Sequence, residues 1–190
     1  NSESEKGVFP TFFDLLDILP GVIEESHYSK DTQSDYVGAL CTRVKSLTNG
    51  IYGSVFCAED ALSDAELFDC NVVVDLSRVG SMETKSLLMG ILVMKLQEYR
   101  MCGSEMNSRL RHVTVLEEAH NLLRKTSAEQ SQEGANLQGK SVEMLANAIA
   151  EMRTYGEGFI IADQAPGLLD MSVIRNTNTK IIPVSYTHLR

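Results

Sequence analysis

The chain has 190 residues, 43% of them hydrophobic, enough to bury one sizeable core with room for a small appendage. Aromatics make up only 6% and Trp is absent, so that core must be aliphatic and Met-rich, which suits an α/β protein better than a sandwich stapled by aromatic pairs. The formal net charge of −9 argues against a basic, DNA-coating surface, although a few basic loops facing a channel would be compatible with an acidic exterior.

Residues 1–50 read as helical and surface-like. Pro10 can open a helix through Phe12, Phe13, Leu15, Leu16 and Ile18, with a stop expected near Pro20–Gly21. A second amphipathic segment runs through Tyr36, Val37, Leu40, Val44 and Leu47, and Asn49–Gly50 ends it. The four cysteines, Cys41, Cys57, Cys70 and Cys102, are far apart and form no CxxC pair, so reduced core thiols are the expectation. No stretch approaches the roughly 20 apolar residues that span a bilayer. The opening NSESEKGVFP carries neither a basic region followed by an apolar one nor an initiating Met, which fits a fragment of a cytoplasmic protein rather than a secreted one.

From residue 71 the pattern changes. Asn71–Leu76 is a short, β-branched run of the kind buried on both faces of a parallel sheet. Ser81 caps a helix with Glu83 in its first turn, and Leu87, Leu88, Ile91, Leu92 and Leu96 form its core-facing stripe. Cys102–Ser108 returns the chain to a strand at His112–Glu117. A polar stretch, Arg124 to Gly139, precedes a helix expected from about Lys140 to Tyr155. Gly156-Glu-Gly158 breaks that helix, Phe159–Ala162 is the next strand, and Lys180–Ile182 is a fourth. Alternating strands and helices predict crossover connections and a mostly parallel sheet flanked by helices.

The most informative stretch is Val113-Thr-Val-Leu-Glu117-Glu118-Ala-His120. An apolar strand ending in two acids puts both at the carboxyl edge of the sheet, where open α/β folds bind ligands. Two acids there support two jobs in nucleotide hydrolysis. One, assigned to Glu117, helps hold Mg²⁺ through its water shell. The other, Glu118, polarises the attacking water. A solvated acidic turn is the competing reading of the same residues.

This strand, the helix bearing Glu151-Met-Arg153-Thr-Tyr-Gly156, the strand Phe159-Ile-Ile-Ala-Asp-Gln164 and the segment Ile174-Arg-Asn-Thr-Asn-Thr-Lys180-Ile together resemble the HerA/FtsK superfamily of hexameric P-loop ATPases. The HerA-like bacterial ATP-binding branch is the nearest resemblance, firm over residues 70–182 and looser over 1–70. It implies an incomplete RecA-like fold, with 1–70 a helical segment and 71–182 the ATPase core. Glu117 and Glu118 would be the Walker B acids, and Gln164 would sense the γ-phosphate of ATP. Arg153 would lie near nucleotide at a subunit interface, although Thr154 stands where the family carries a basic residue. Arg175 is the second candidate for positive charge across that interface. His120 reads as structural or coupling rather than catalytic. The family also implies a homo-oligomeric, hexameric ring, DNA translocation or unwinding, a nuclease partner in some settings, and no membrane.

Gly134-Ala-Asn-Leu-Gln-Gly139-Lys140-Ser141 fits G-x-x-x-x-G-K-[ST] letter for letter. That motif needs a buried strand immediately before it, so that loop N–H groups and a helix N-terminus converge on phosphate. The preceding Thr126–Glu133 is wholly polar, and the motif follows the acidic strand instead of preceding it. The expectation is therefore a polar loop, able to touch a DNA backbone through Arg124, Lys125 or Lys140, with the true phosphate loop upstream. The tail 183–190 departs from the family and resembles non-native sequence.

Overall fold

Two units divide the chain, Asn1–Leu62 and Ser63–Arg190, and the computed structural model describes residues 11–58, 62–125 and 132–182. The expected non-native tail lies outside the described residues.

In the first unit, α1 (Phe12–Glu24), α2 (Lys30–Thr48) and α3 (Gly50–Phe56) follow one another. Thr11 and Asp14 form a reciprocal capping box on α1, and Ser29 caps α2. The expected stop at Pro20–Gly21 does not occur. Pro20 lies inside α1 and cannot supply the N–H that would bond the Leu16 carbonyl, yet the helix continues past it to Glu24, with Ile23 buried. Phe13, Ile18 and Val22 remain exposed on this helix.

The second unit holds α4 (Asp64–Phe68), α5 (Met82–Gly103), β1 (His112–Glu117), α6 (Gln132–Met152), β2 (Glu157–Ala162) and α7 (Met171–Asn176). Ser81 caps α5 as expected, its hydroxyl accepting from the Thr84 amide. β1 and β2 pair in parallel, His112 opposite Glu157 through Glu117 opposite Ala162, with α6 as the crossover. The chain is therefore a helix-rich α/β protein with a small parallel sheet. Val93 and Leu96 of α5, Val142, Ala146 and Met152 of α6, and Leu122 and Leu123 after β1 form one aliphatic core. Leu116, Phe159 and Ile161 pack on it from one face of the sheet, whereas Val113, Val115 and Ile160 on the other face are exposed.

The four cysteines are free as expected but not in the core, Cys70 and Cys102 being exposed. Three further expectations, on secondary structure, are corrected. Asn71–Leu76 is not a strand: Val73 is 92% exposed, and no described segment offers these residues a ladder. Lys180–Ile182 likewise lacks strand pairing, with Ile181 86% exposed. β-branched runs fit a pleated sheet, but the strand exists only where a neighbour completes its hydrogen bonds. The third correction concerns α6, which begins at Gln132 instead of Lys140, so residues 134–141 are helical. Gln, Glu, Ala, Leu and Lys are good helix formers, and extending an existing helix costs far less than nucleating one. The two glycines inside it do not interrupt it.

A buried ionic cluster fixes the amino-terminal edge of the sheet. Glu157, fully buried, accepts hydrogen bonds from Arg100 Nε at 2.8 Å and Thr114 Oγ1 at 2.7 Å, and lies 2.8 Å from His112 Nδ1. Arg100 also donates to Asp69 and to the Phe68 carbonyl, which ties α4, α5 and both strands together. Burial works against the Arg100 charge, but Asp69 and Glu157 outweigh it and hold the guanidinium above its ordinary range. Gly156 enters β2 at φ 87°, and a Cβ there would meet the Arg109 carbonyl at 2.5 Å, so only glycine fits.

Candidate functional site at the carboxyl edge of the sheet

β1 delivers Glu117 and Glu118 to the carboxyl edge, both exposed. Immediately after them the apolar residues Ala119, Leu122 and Leu123 turn back into the core. The reversal is abrupt, and Glu118 makes it in the left-handed conformation, φ 48° and ψ 46°. A non-glycine residue held there carries roughly 1–3 kcal/mol of backbone strain, a cost that clusters at functional sites. Ala119–Asn121 then form a 3-10 turn, and Asn121 Nδ2 donates to Glu118 Oε2 at 3.3 Å.

β2 brings Asp163 and Gln164 to the same edge. Gln164 is exposed, whereas the Asp163 side chain is only 3% exposed. Asp163 Oδ1 accepts from the Ala165 amide at 2.7 Å, closing an Asx turn. Its Oδ2 accepts from the His120 amide at 2.8 Å and lies 2.9 Å from His120 Nδ1. Burial pushes the Asp163 carboxyl up, but the Ala165 and His120 amides and the His120 ring together hold it below the usual carboxylate range. Farther out, Lys125 N donates to the Leu168 carbonyl and Asp170 N to the Leu123 carbonyl, so the two post-strand segments run joined.

The sequence-expected residues thus divide. Glu117, Glu118 and Gln164 share the carboxyl edge. Arg153, exposed in the 3-10 turn Arg153–Tyr155 before β2, stands at the opposite edge. A six-residue strand separates it from the acids, roughly 20 Å at about 3.3 Å per residue. Arg175 is exposed in the last turn of α7. The Gly134–Ser141 match lies within α6, so its amides serve helix hydrogen bonds and make no phosphate cradle. Sequence reasoning passed over Asp163; its signal was an aspartate one residue past a strand and three before Pro166, an Asx-turn position.

Among the described residues no group of three or more His, Cys, Asp or Glu gathers as a metal cage. Mg²⁺ in a nucleotide site does not need one, since it keeps several waters and takes one or two carboxylates plus phosphate oxygens. An exposed Glu117 at a strand end fits that sparse donor set. A separate groove of about 1080 Å³ lies between α5 and α6, lined by Leu87, Met94, Met101 and Met144, with His120 and Asn121 at one end. The acids do not line it. No helix among the described residues is long and apolar enough to cross a membrane. No protein-family model, curated protein or solved structure matches this chain.

Proposed function

We propose that the chain carries the acidic edge of an ATPase site in a RecA-like domain of the HerA/FtsK type, acting in a cytosolic motor that moves or unwinds DNA. The observation that carries this reading is the parallel pair β1–β2, whose ends bring Glu117, the strained Glu118 and Gln164 to one edge. Glu118 takes hydrogen bonds from the attacking water and orients it; Gln164 contacts the γ-phosphate; Glu117 holds water molecules of the ion's shell. Mg²⁺, when bound, neutralises phosphoryl charge. Arg153 cannot reach the acids of its own chain across the strand length, so in this reading it serves a neighbouring subunit's site, with Arg175 as the alternative. That requirement favours a ring, hexameric in the family that the sequence resembles. Basic Arg124 and Lys125, exposed just past the acidic turn, are the candidates for touching DNA.

The described residues contain no phosphate-binding loop, so hydrolysis requires one from outside them. That observation favours a second reading, a non-catalytic assembly module that retains the α/β fold. Glu118→Gln separates the two. The motor reading expects ATP turnover to stop while ATP still binds, and an unchanged turnover would sink it. An absence of ATP binding by the protein itself would favour the module.

A further inference from the structure

The geometry points to Asp163 and His120 as a clasp that sets the position of Gln164 relative to Glu118. Two turns emerge side by side from the strand ends, one carrying Glu118 and the other Gln164. Strand pairing ends at Glu117 and Ala162, and the next backbone links between the segments are those of Leu123–Lys125 with Leu168–Asp170. In the interval the two turns are held by one side chain. Asp163 Oδ1 binds the Ala165 amide of its own turn at 2.7 Å. Its Oδ2 receives the His120 amide at 2.8 Å and the Nδ1 edge of the same residue at 2.9 Å.

The environment supports a charged acceptor. The Asp163 side chain is 3% exposed and that of His120 21%, so water competes little for these bonds. Hydrogen bonds to a charged group contribute about 1.5–3 kcal/mol each, more than neutral ones. With Asp163 ionised, only a protonated Nδ1 can donate to Oδ2, so the contact favours the Nδ1–H tautomer of a neutral ring. Every group on the clasp lies one residue from Gln164 or two from Glu118, so slack in it displaces the groups that would flank the γ-phosphate. Asp163 and His120 are positioning residues here, and their catalytic consequence rests on the ATPase reading above.

Three measurements on the protein test this. In ¹⁵N-histidine spectra His120 should be the Nδ1–H tautomer and lose that preference in Asp163→Asn. In Asp163→Ala the amides of His120 and Ala165 should exchange at least about tenfold faster, the effect of losing one charge-assisted bond each, while Val115 and Ile160 amides keep their protection. ATP turnover in Asp163→Asn and in His120→Ala should fall about 10- to 100-fold in kcat with little change in KM, as for a displaced catalytic group. His120→Asn should recover most of it, because its Nδ2 occupies the place of the histidine Nδ1. Unaltered exchange and tautomer in the variants would overturn the clasp. A clasp seen by both spectra with kcat unaffected would overturn its positioning role. In protein that includes the phosphate loop, the spectral pattern without turnover would refute the ATPase reading and leave the clasp in place.

Discussion

Replacing Arg100 by Met tests how the sheet is anchored at the edge opposite the acids. The guanidinium side chain is 8% exposed and its partner Glu157 fully buried, 2.8 Å away. Met keeps most of the aliphatic stem in the core, so the change removes charge and hydrogen bonds with little loss of packing. Three contacts go together: Nε to Glu157, Nη1 to Asp69, and Nη2 to the Phe68 carbonyl. Summing three bonds overstates the effect, since they act as one network. Breaking a buried ion pair from one side costs about 3–5 kcal/mol, because the remaining charge stays desolvated without its counter-ion; Glu157 would keep only its Thr114 and His112 contacts. That is a large share of the roughly 5–15 kcal/mol by which domains are stable. For a unit of this size it lowers Tm by about 10–20 °C. Urea denaturation followed by circular dichroism should show the midpoint fall with an unchanged slope. Adding Glu157→Gln to Arg100→Met removes the orphaned charge and should restore about 2 kcal/mol or more, a coupling that independent sites do not show. A single variant within about 1 kcal/mol of wild type, or strictly additive effects, would refute the view that Glu157 depends on Arg100.

Glu118→Gly should raise stability by about 1 kcal/mol in denaturant melts, since glycine takes the left-handed conformation at φ 48° without a Cβ clash, and should abolish ATP turnover. A destabilised variant would show that the turn is not strained. Lys140→Ala should leave nucleotide affinity within about twofold in equilibrium binding, because residue 140 lies on α6 and not in a phosphate loop. A tenfold loss would restore the G-x-x-x-x-G-K-S match as a true loop. Asp170 caps α7, accepting from the Ser172 hydroxyl at 2.7 Å and the Ser172 amide at 2.9 Å, and these bonds hold its carboxyl below the ordinary range. Its folded pKa lies below the unfolded value of about 3.9. The stability it contributes is therefore present above that pH and is lost as pH falls through the depressed pKa. Asp170→Ala should cost about 1 kcal/mol at pH 7, with the difference shrinking in acid melts below about pH 4.

Much of the second unit was legible from residue order. The β-branched run ending in Glu117–Glu118, the Ser81 cap and the break at Gly156 fell where the structure has them, because each rests on local chemistry. The core face of α5 did not: of Leu87, Leu88, Ile91, Leu92 and Leu96 only Leu96 is buried, and the buried line is Thr84, Met89, Val93, Leu96 and Arg100. The order acidic strand, helix, next strand also implied the parallel pairing of β1 with β2. The extent of the sheet was not legible. Asn71–Leu76 and Lys180–Ile182 have strand-like composition, but propensity speaks only to the segment itself, and no described neighbour completes their ladders.

By itself the sequence determined that the chain is an aliphatic α/β protein and that two acids close the strand His112–Glu117. Tertiary structure alone decided which polar residues meet. It put Arg153 a strand's length from the acids, joined Asp163 to His120 across 43 positions of chain, and buried Glu157 against an arginine 57 residues away. Periodicity and motif spacing report on neighbours within a turn or a strand. A charge-assisted contact between two separate elements depends on register and packing, which no local pattern encodes.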